Sequence, residues 1–396
     1  MPHARYSPEF KLLLRCHEAP ASRVKLDSQI QILATQFDEN IFKSLLVRHR
    51  VAPIVYLNLK NHPSISPVLK DWLKSMTEQN QLISLKSLHM MLNIQRELNN
   101  QNFEGVFLKG VPLAEMYYGD TALRESIDID LWVEEKAIVP MSTWLKSLGY
   151  VSNLNIENIN KHQLQYIKRT DYHHALIATK PELSSKIELH WKIRGSLGGF
   201  NLDPSNQDTN LITWFYGGLD LKVFDHVDQF LYLCTHGTEH AWFRLKWLFD
   251  LPQLIAKINF DWCVVRERAK VLGCLEHLEI SFLVLKEILN IDIPLPILEH
   301  IVPGKYKYHL KYILQAIRSD RGFNENDRNR SRHFLFLWSL SKKRLNRNLF
   351  LKYLTGPGDW KYFPLPENLF FLYFPLRPFL WISRRLSHSL KFMLIK

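Results

Sequence analysis

Residues 126–133, SIDIDLWV, alternate strictly between two kinds of side chain, and this pattern restricts the fold more than any other stretch. Successive side chains of a β-strand point to opposite faces of the sheet, so the alternation predicts a strand with two unlike faces. Isoleucine, leucine and valine occupy one face. The other face carries Ser126, Asp128, Asp130 and Trp132.

Helical patterns precede and follow this strand. Apolar residues recur at spacings of three and four through much of 1–100 and again from 225 to about 290. Further strand-like stretches lie between them, at 103–110, 164–179 and 185–193. We therefore predict an α/β (α+β) fold with a small mixed β-sheet. The expected divisions are an N-terminal helical region (1–100), an α/β core (101–200), a helical domain (210–300) and a basic aromatic C-terminal region (301–396).

The formal net charge of +12 is concentrated near one end of the chain. Residues 301–396 hold 19 Lys/Arg against 5 Asp/Glu, so the first 300 residues are close to neutral. This distribution argues against a uniformly basic, nucleic-acid-binding surface. It describes a neutral globule with a basic appendage.

Cysteine usage and hydropathy bear on the cellular compartment. Four widely spaced cysteines without a CxxC pair are typical of reduced thiols rather than of a disulfide framework. The first 20 residues lack the apolar core of a signal peptide, and no run approaches the roughly 18 apolar residues of a membrane-spanning helix. We expect a cytoplasmic protein.

The two aspartates of the alternating strand are a candidate metal site. Asp128 and Asp130 would lie roughly 7 Å apart along the backbone, and two unpaired carboxylates this close repel each other unless a cation lies between them. Glu188 and His190 share one face of a later predicted strand, KIELHW. If the two strands are neighbours, Glu188 becomes a third carboxylate, and the three acids could hold Mg²⁺ (or Mn²⁺) for phosphoryl or nucleotidyl transfer.

Lys109 and Gly110 end the preceding strand, immediately before a predicted helix start. Backbone N–H groups at such a turn can cradle a phosphate, and glycine allows close approach. The structural alternative remains open: the acids would face solvent on an edge strand, or pair with Lys109 and Arg124.

Four segments together resemble the bacterial family of uncharacterised nucleotidyltransferases, a branch of the polymerase-β-like superfamily. They are FLKGVPLAEMYY, LRESIDIDLWV, IELHW and LYLCTHGTEHAWFRLKWLFDL. The resemblance extends over about residues 90–260, and more loosely through PLPENLFFLYFPLRP. It implies Mg²⁺-dependent transfer of a nucleoside monophosphate from an NTP to an acceptor, with release of pyrophosphate.

The resemblance also implies roles for individual residues. Asp128, Asp130 and Glu188 would be metal ligands, with Glu188 either bridging metals or deprotonating the acceptor. The residues at the nucleotide and its phosphates would be Lys109, Gly110, Arg124 and His190. Because family members are often encoded near exopolysaccharide or peptide-modification genes, the implied acceptor is a saccharide, a lipid-linked glycan precursor or a peptide.

A second motif, HGTEH at 236–240, fits the inverted zinc-peptidase signature H-x-x-E-H. On a helix His236 and His240 share a face, and Glu239 would be the general base. No third ligand is evident. We favour histidines lining a helix near the active site, with substrate contact by His236 or His240 as one alternative and zinc hydrolysis as another.

His173 and His174 point to opposite faces of a predicted strand. Spacing does not choose between them, and His174 is included among the candidate substrate contacts. A non-catalytic nucleotide-binding or scaffold descendant of the same fold is the main functional alternative.

The basic C-terminal region interleaves Lys and Arg with aromatic residues at 342–354 and 368–396. Such a composition suits a helix on the inner surface of a membrane, near anionic headgroups. Packing onto the body of the protein is an equal alternative, and nucleic-acid binding is a weaker one.

Overall fold

The computed structural model describes most of the chain. The described residues are 6–17, 31, 37–152, 154, 156–170, 173–183, 186–193, 200, 202–206, 208–319, 327–340 and 354–393.

Helices form the N-terminal region, as the apolar spacing predicts. They are α1 (Pro8–Arg15), α2 (Glu39–His49), α3 (Ala52–Leu59) and α4 (Pro67–Asn100). The Asp38 carboxylate accepts from the first backbone N–H groups of α2, and the Ser66 hydroxyl accepts from Leu69 N at 3.0 Å at the start of α4.

A five-stranded mixed sheet follows. Its strands are β1 (Gly105–Phe107), β2 (Asp128–Val133), β3 (Tyr150–Val151), β4 (His173–Ala178) and β5 (Lys186–His190), in the spatial order β1-β2-β5-β4-β3. β2 and β5 pair in parallel, whereas the other neighbours are antiparallel. The predicted small mixed sheet is confirmed.

Two hydrophobic cores lie on the two faces of this sheet. Ile129, Leu131 and Val133 of β2 belong to one core, which also receives residues of α4. Trp132 points the other way, into a larger core that contains residues of the N-terminal helices and of the helices after the sheet. The face that carries Asp128 and Asp130 is therefore turned toward the helical parts of the protein.

Several helical segments connect the strands. They include a single turn, α5 (Val111–Leu113), which continues as a π-helical turn (Ala114–Tyr118), then α6 (Ile138–Ser147) and α7 (Lys161–Thr170), with short 3₁₀ turns at Thr121–Leu123, Glu135–Ala137 and Ile156–Asn158. The predicted strand at 164–179 is wrong over its first half, which forms α7. Tyr166 and Ile167 are buried there, and the aromatic and β-branched side chains that suggested a strand pack equally well from a helix.

A separate hairpin was not predicted. β6 (Leu211–Tyr216) and β7 (Leu219–Phe224) pair in antiparallel fashion through a two-residue turn, Gly217–Gly218, with φ of 59° and 78°. Positive φ at both turn residues is what a type I′ hairpin requires, and Gly-Gly between alternating apolar residues is the sequence signal for it.

The region predicted as helical from 225 to 290 is confirmed. Its helices, with those that follow, are α8 (His226–Glu239), α9 (Leu245–Lys257), α10 (Trp262–Val271), α11 (Leu275–Leu289), α12 (Leu295–Leu298) and α13 (Lys307–Arg318).

The C-terminal region contains α14 (Asp327–Leu340), α15 (Pro357–Tyr362) and α16 (Tyr373–Met393). Trp360 and Tyr373 belong to the core on the apolar face of the sheet. Arg384 pairs with Asp359 at 3.0 Å, and Arg377 pairs with the same carboxylate. This part of the tail therefore packs onto the body.

Most of the predicted basic segment at 342–354 lies outside the described residues. No helix among those described combines the length and hydropathy needed to cross a bilayer.

A buried ion pair joins the approach to β2 to the helices behind it. Arg124 donates Nε to Asp250 Oδ1 at 2.7 Å and Nη2 to Asp250 Oδ2 at 2.8 Å, and the Tyr118 hydroxyl donates to Asp250 Oδ1 at 2.7 Å. Both charged side chains are buried. Two parallel charge-assisted bonds fix α9 relative to β2, which carries the aspartates.

We predict that Asp250→Asn lowers the free energy of unfolding by roughly 3–5 kcal/mol, because it leaves the Arg124 charge buried without a counterion. Glu104→Gln is the matched control, since it breaks the exposed Glu104–Lys222 pair (2.6 Å) and should cost less than about 1 kcal/mol. Chemical denaturation measures both. Equal effects would show that the buried pair does not hold the two parts together.

Candidate active site

The parallel pairing of β2 with β5 places the predicted acids side by side. Asp130 lies directly opposite Glu188 in the register, and Trp132 lies opposite His190. Side chains that face each other on neighbouring strands point to the same side of the sheet. The neighbouring strands assumed from the sequence are thus present.

Asp130, Glu188 and His190 form a compact group. One ligand atom from each lies within 4.8 Å of the others. His190 Nε2 is 3.3 Å from Asp130 Oδ1 and 3.4 Å from Glu188 Oε2. Among the described residues, this is the one group of three such side chains that could hold a metal ion.

Among the described residues, one oxygen of this group has no hydrogen-bond partner, which bears on whether the group suits a cation. Asp130 is only 1% exposed, and its Oδ2 atom is buried with no hydrogen-bond partner in the described part of the chain. A buried polar atom without a partner is costly. Carboxylate oxygens are the donors that Mg²⁺ and Mn²⁺ prefer, so these residues fit a divalent cation.

Nearby cations keep the two carboxylates ionised. Lys109 Nζ lies 3.3 Å from Asp130 Oδ1, and Lys186 pairs with Glu188. Burial alone would raise the pKa of Asp130, but Lys109 and His190 outweigh it and lower the pKa. The pKa of Glu188 is also lowered: burial opposes this, but the hydrogen bond from His190 and the charge of His173 prevail. The pair between Lys109 and Asp130 is one of the contacts expected if the acids have a structural role and bind no metal.

Asp128 is not part of the compact group. It is half-buried at the start of β2, opposite Lys186 in the register. Arg50, Arg244 and Lys246 all interact electrostatically with it. The structure therefore brings together two of the three predicted carboxylates, and surrounds the third with positive charge.

The turn after β1 lies against the start of β2. Gly110 has a φ of 87°, and a Cβ atom there would lie 3.4 Å from Ser126 Oγ and 3.7 Å from Asp128 O. L-residues with side chains rarely adopt this conformation. The backbone at Lys109–Gly110 thereby runs beside the carboxylates.

Two of the predicted contact residues, Arg124 and His174, do not lie in the carboxylate group. The Arg124 guanidinium is fully engaged with Asp250, in the role of a buried structural cation. His174 lies on the opposite face of the sheet, where its Nε2 is 3.3 Å from Ser142 Oγ. The residue beside it, His173, stacks on His190 with ring centroids 5.2 Å apart, so His173 takes the place that we expected for His174.

Three cations near Asp128 were not predicted. Arg50 ends α2, and Arg244 and Lys246 lie at the start of α9. Within the described ranges none of the three forms an ion pair with a carboxylate. Burial lowers the pKa of Lys246 to about 7 and that of Arg244 to about 10, with repulsion from neighbouring cations adding to the shift. A cluster of mutually repelling, partly desolvated cations is a candidate anion site.

The predicted zinc pair lies close to this region. The rings of His236 and His240 are 4.6 Å apart and both contact Trp247. No third ligand accompanies them in the described part of the chain.

A cavity opens farther along the same face. Trp132, two residues beyond Asp130, lines it together with Trp191, Ile193 and Asp203, and its volume is about 430 Å³. The cavity lies at the ends of β2 and β5, and neither Asp130 nor Glu188 lines it.

Comparison with known proteins gives one match. The sequence model of a family described as an uncharacterised nucleotidyltransferase matches residues 35–290, well over half of the chain. The matched region includes the sheet, the carboxylates and the helices α8 to α11. Neither the curated proteins nor the solved structures yielded a match.

We predict that Asp130→Asn and Glu188→Gln each weaken Mn²⁺ binding at least about tenfold, because each removes a charged oxygen donor from the compact group. Electron paramagnetic resonance titration of free Mn²⁺ measures this. Glu182→Gln, at an exposed acid outside the group, should leave the affinity unchanged. Wild-type affinity in Asp130→Asn would favour the structural alternative for these acids.

Proposed function

Since the chain belongs to the uncharacterised nucleotidyltransferase family, we propose that it transfers a nucleoside monophosphate from an NTP to an acceptor, with release of pyrophosphate. The observation that carries this proposal is the grouping of Asp130 and Glu188 on neighbouring strands, with Lys109 beside them.

The carboxylates and His190 would hold a divalent ion, Mg²⁺ or Mn²⁺. When bound, such an ion would neutralise the charge that develops as the α-phosphate reacts. Of the two roles that the resemblance gives to Glu188, its lowered pKa supports metal binding, because a strongly acidic carboxylate is a poor proton acceptor. Asp128 lies two residues before Asp130 on the same face of β2, where it would face the phosphates of the nucleotide.

The chain's own cations would receive the polyphosphate. Lys109 would turn from Asp130 toward the phosphates, beside the turn at Gly110. Arg50, Arg244 and Lys246 would meet the charge of the pyrophosphate as the acceptor oxygen bonds to the α-phosphorus and the bond to the β-phosphate breaks. These three cations lie near the carboxylates of Asp128 and Glu125 but form no ion pair with a carboxylate in the described part of the chain, and a polyphosphate would supply further negative charge.

The acceptor would enter from the cavity beside Trp132. Its lining combines two tryptophans with polar side chains, which suits an acceptor with both apolar faces and hydroxyl groups. We therefore retain a saccharide, a lipid-linked glycan precursor or a peptide as the acceptor classes.

We predict that the wild-type protein, incubated with Mg²⁺, an extract of the native host and each α-labelled NTP in turn, incorporates label from one of them. Asp130→Asn should reduce incorporation by about a hundredfold or more, because it removes a metal ligand. Glu182→Gln should match the wild type. The labelled product identifies the acceptor class.

The outcome separates the alternatives. Label that appears equally with wild type and Asp130→Asn would come from other enzymes and would contradict the proposal. Nucleotide binding without any transfer would favour a non-catalytic descendant of the fold.

We predict that Arg244→Met and Lys246→Met each raise the KM for the NTP about tenfold, because each removes one charge-assisted contact to phosphate. Steady-state transfer assays measure the effect, and Lys311→Met, at an exposed position on α13, is the control. An unchanged KM in both site variants would show that this cluster does not face the nucleotide.

A further inference from the structure

We propose that the base of the nucleotide stacks on His240, which Trp247 supports from behind. This inference rests on the proposed function and adds a subsite to it. It explains a group of aromatic and imidazole rings, at the end of α8 and the start of α9, that the metal site does not use.

The His240 ring is held in a defined orientation. It stacks on Trp247 with centroids 5.0 Å apart and an interplanar angle of 28°. His236 lies 4.6 Å away and Phe243 6.3 Å away, both at steep angles. The Arg244 guanidinium also packs on this group, 5.2 Å from the centroid of Phe243 and 5.9 Å from that of Trp247. A ring held in this way needs no reordering when a ligand stacks on it.

His240 is accessible to a ligand, whereas the ring that supports it is not. The residue is exposed to solvent, and Trp247, on which its ring stacks, is only 7% exposed. Enough protein surrounds the His240 ring for desolvation to lower its pKa to about 3. A base that stacks there would therefore contact a ring already partly shielded from water.

The ring lies in one row with a residue beside the carboxylates. Tyr232, His236 and His240 are spaced by four residues, so they form one stripe along α8, about 12 Å long from the helical rise. At the Tyr232 end, the charges of Lys109 and Asp130 are the strongest electrostatic neighbours of the phenol. Lys109 also acts on His236 and His240. A triphosphate at Lys109 would therefore leave its base free to reach the other end of the stripe.

The chemistry of the histidines favours a base over a phosphate. Desolvation, with repulsion from Lys109, lowers the pKa of both His236 and His240, so both rings are neutral near pH 7. A neutral imidazole offers a π-face and hydrogen-bonding nitrogens but no charge for an anion. His236 Nε2 is buried and has no hydrogen-bond partner in the described part of the chain, so it would gain one if a small shift of its ring brought it to the edge of a base.

The test compares a ligand that has a base with one that lacks it. The probes are AMPCPP, an ATP analogue that cannot be cleaved at the α,β position, and inorganic tripolyphosphate, each titrated calorimetrically in Mg²⁺. His240→Ala should weaken AMPCPP binding about tenfold and leave tripolyphosphate binding within about twofold of wild type, because one stacked base is lost.

Two further variants sharpen this comparison. His240→Phe keeps an aromatic face and should restore AMPCPP affinity to near the wild-type value. His300→Ala, an exposed histidine at the end of α12, should have no effect.

Three results would overturn the inference: unchanged AMPCPP affinity in His240→Ala, an equal loss for both probes, or a His240→Phe variant as weak as His240→Ala. Wild-type protein that binds neither probe would overturn the proposed function and the subsite together. Wild-type protein that binds both equally well would overturn the subsite alone.

Discussion

The parallel register between β2 and β5 is the constraint on which the site depends. It sets Asp130 beside Glu188, and mutual repulsion between two buried carboxylates must then be offset by positive charge. Lys109, Lys186 and His190 supply that charge in the described structure. A divalent ion would supply it more compactly and would satisfy the orphaned Asp130 Oδ2. The protein thus keeps two carboxylates ionised at a site where burial alone would favour their protonated forms.

The helices around the sheet have two tasks. They bury the faces of the sheet in two cores, and they bring charged and aromatic side chains to the carboxylate face. Helix α9 has both roles. Its Asp250 pairs with Arg124, and one turn earlier its Lys246 interacts electrostatically with Asp128. The anchoring and the binding residues lie on the same short helix, so the position of the cations depends on the buried ion pair.

Local sequence patterns predicted the parts of this arrangement that depend on neighbours in the chain. The alternation in 126–133 gave β2 and the side of the sheet on which its acids lie, and the resemblance gave the family. Partners that meet only through the fold could not be predicted: Asp250 for Arg124, or Arg50 beside Asp128. The choice between His173 and His174 likewise required the register of β4 with β5. The Gly217–Gly218 hairpin, by contrast, carries a local signal, a Gly-Gly pair between two stretches of alternating residues.

A divalent ion bound by Asp130 and Glu188 would also contact the nucleotide. A crystal structure with Mn²⁺ and AMPCPP, measured at a wavelength where manganese scatters anomalously, would show whether it does. We expect an anomalous peak in contact with oxygens of both carboxylates and of the phosphates. A nucleotide bound with its metal away from Asp130 and Glu188, while Lys109 still pairs with Asp130, would contradict this expectation.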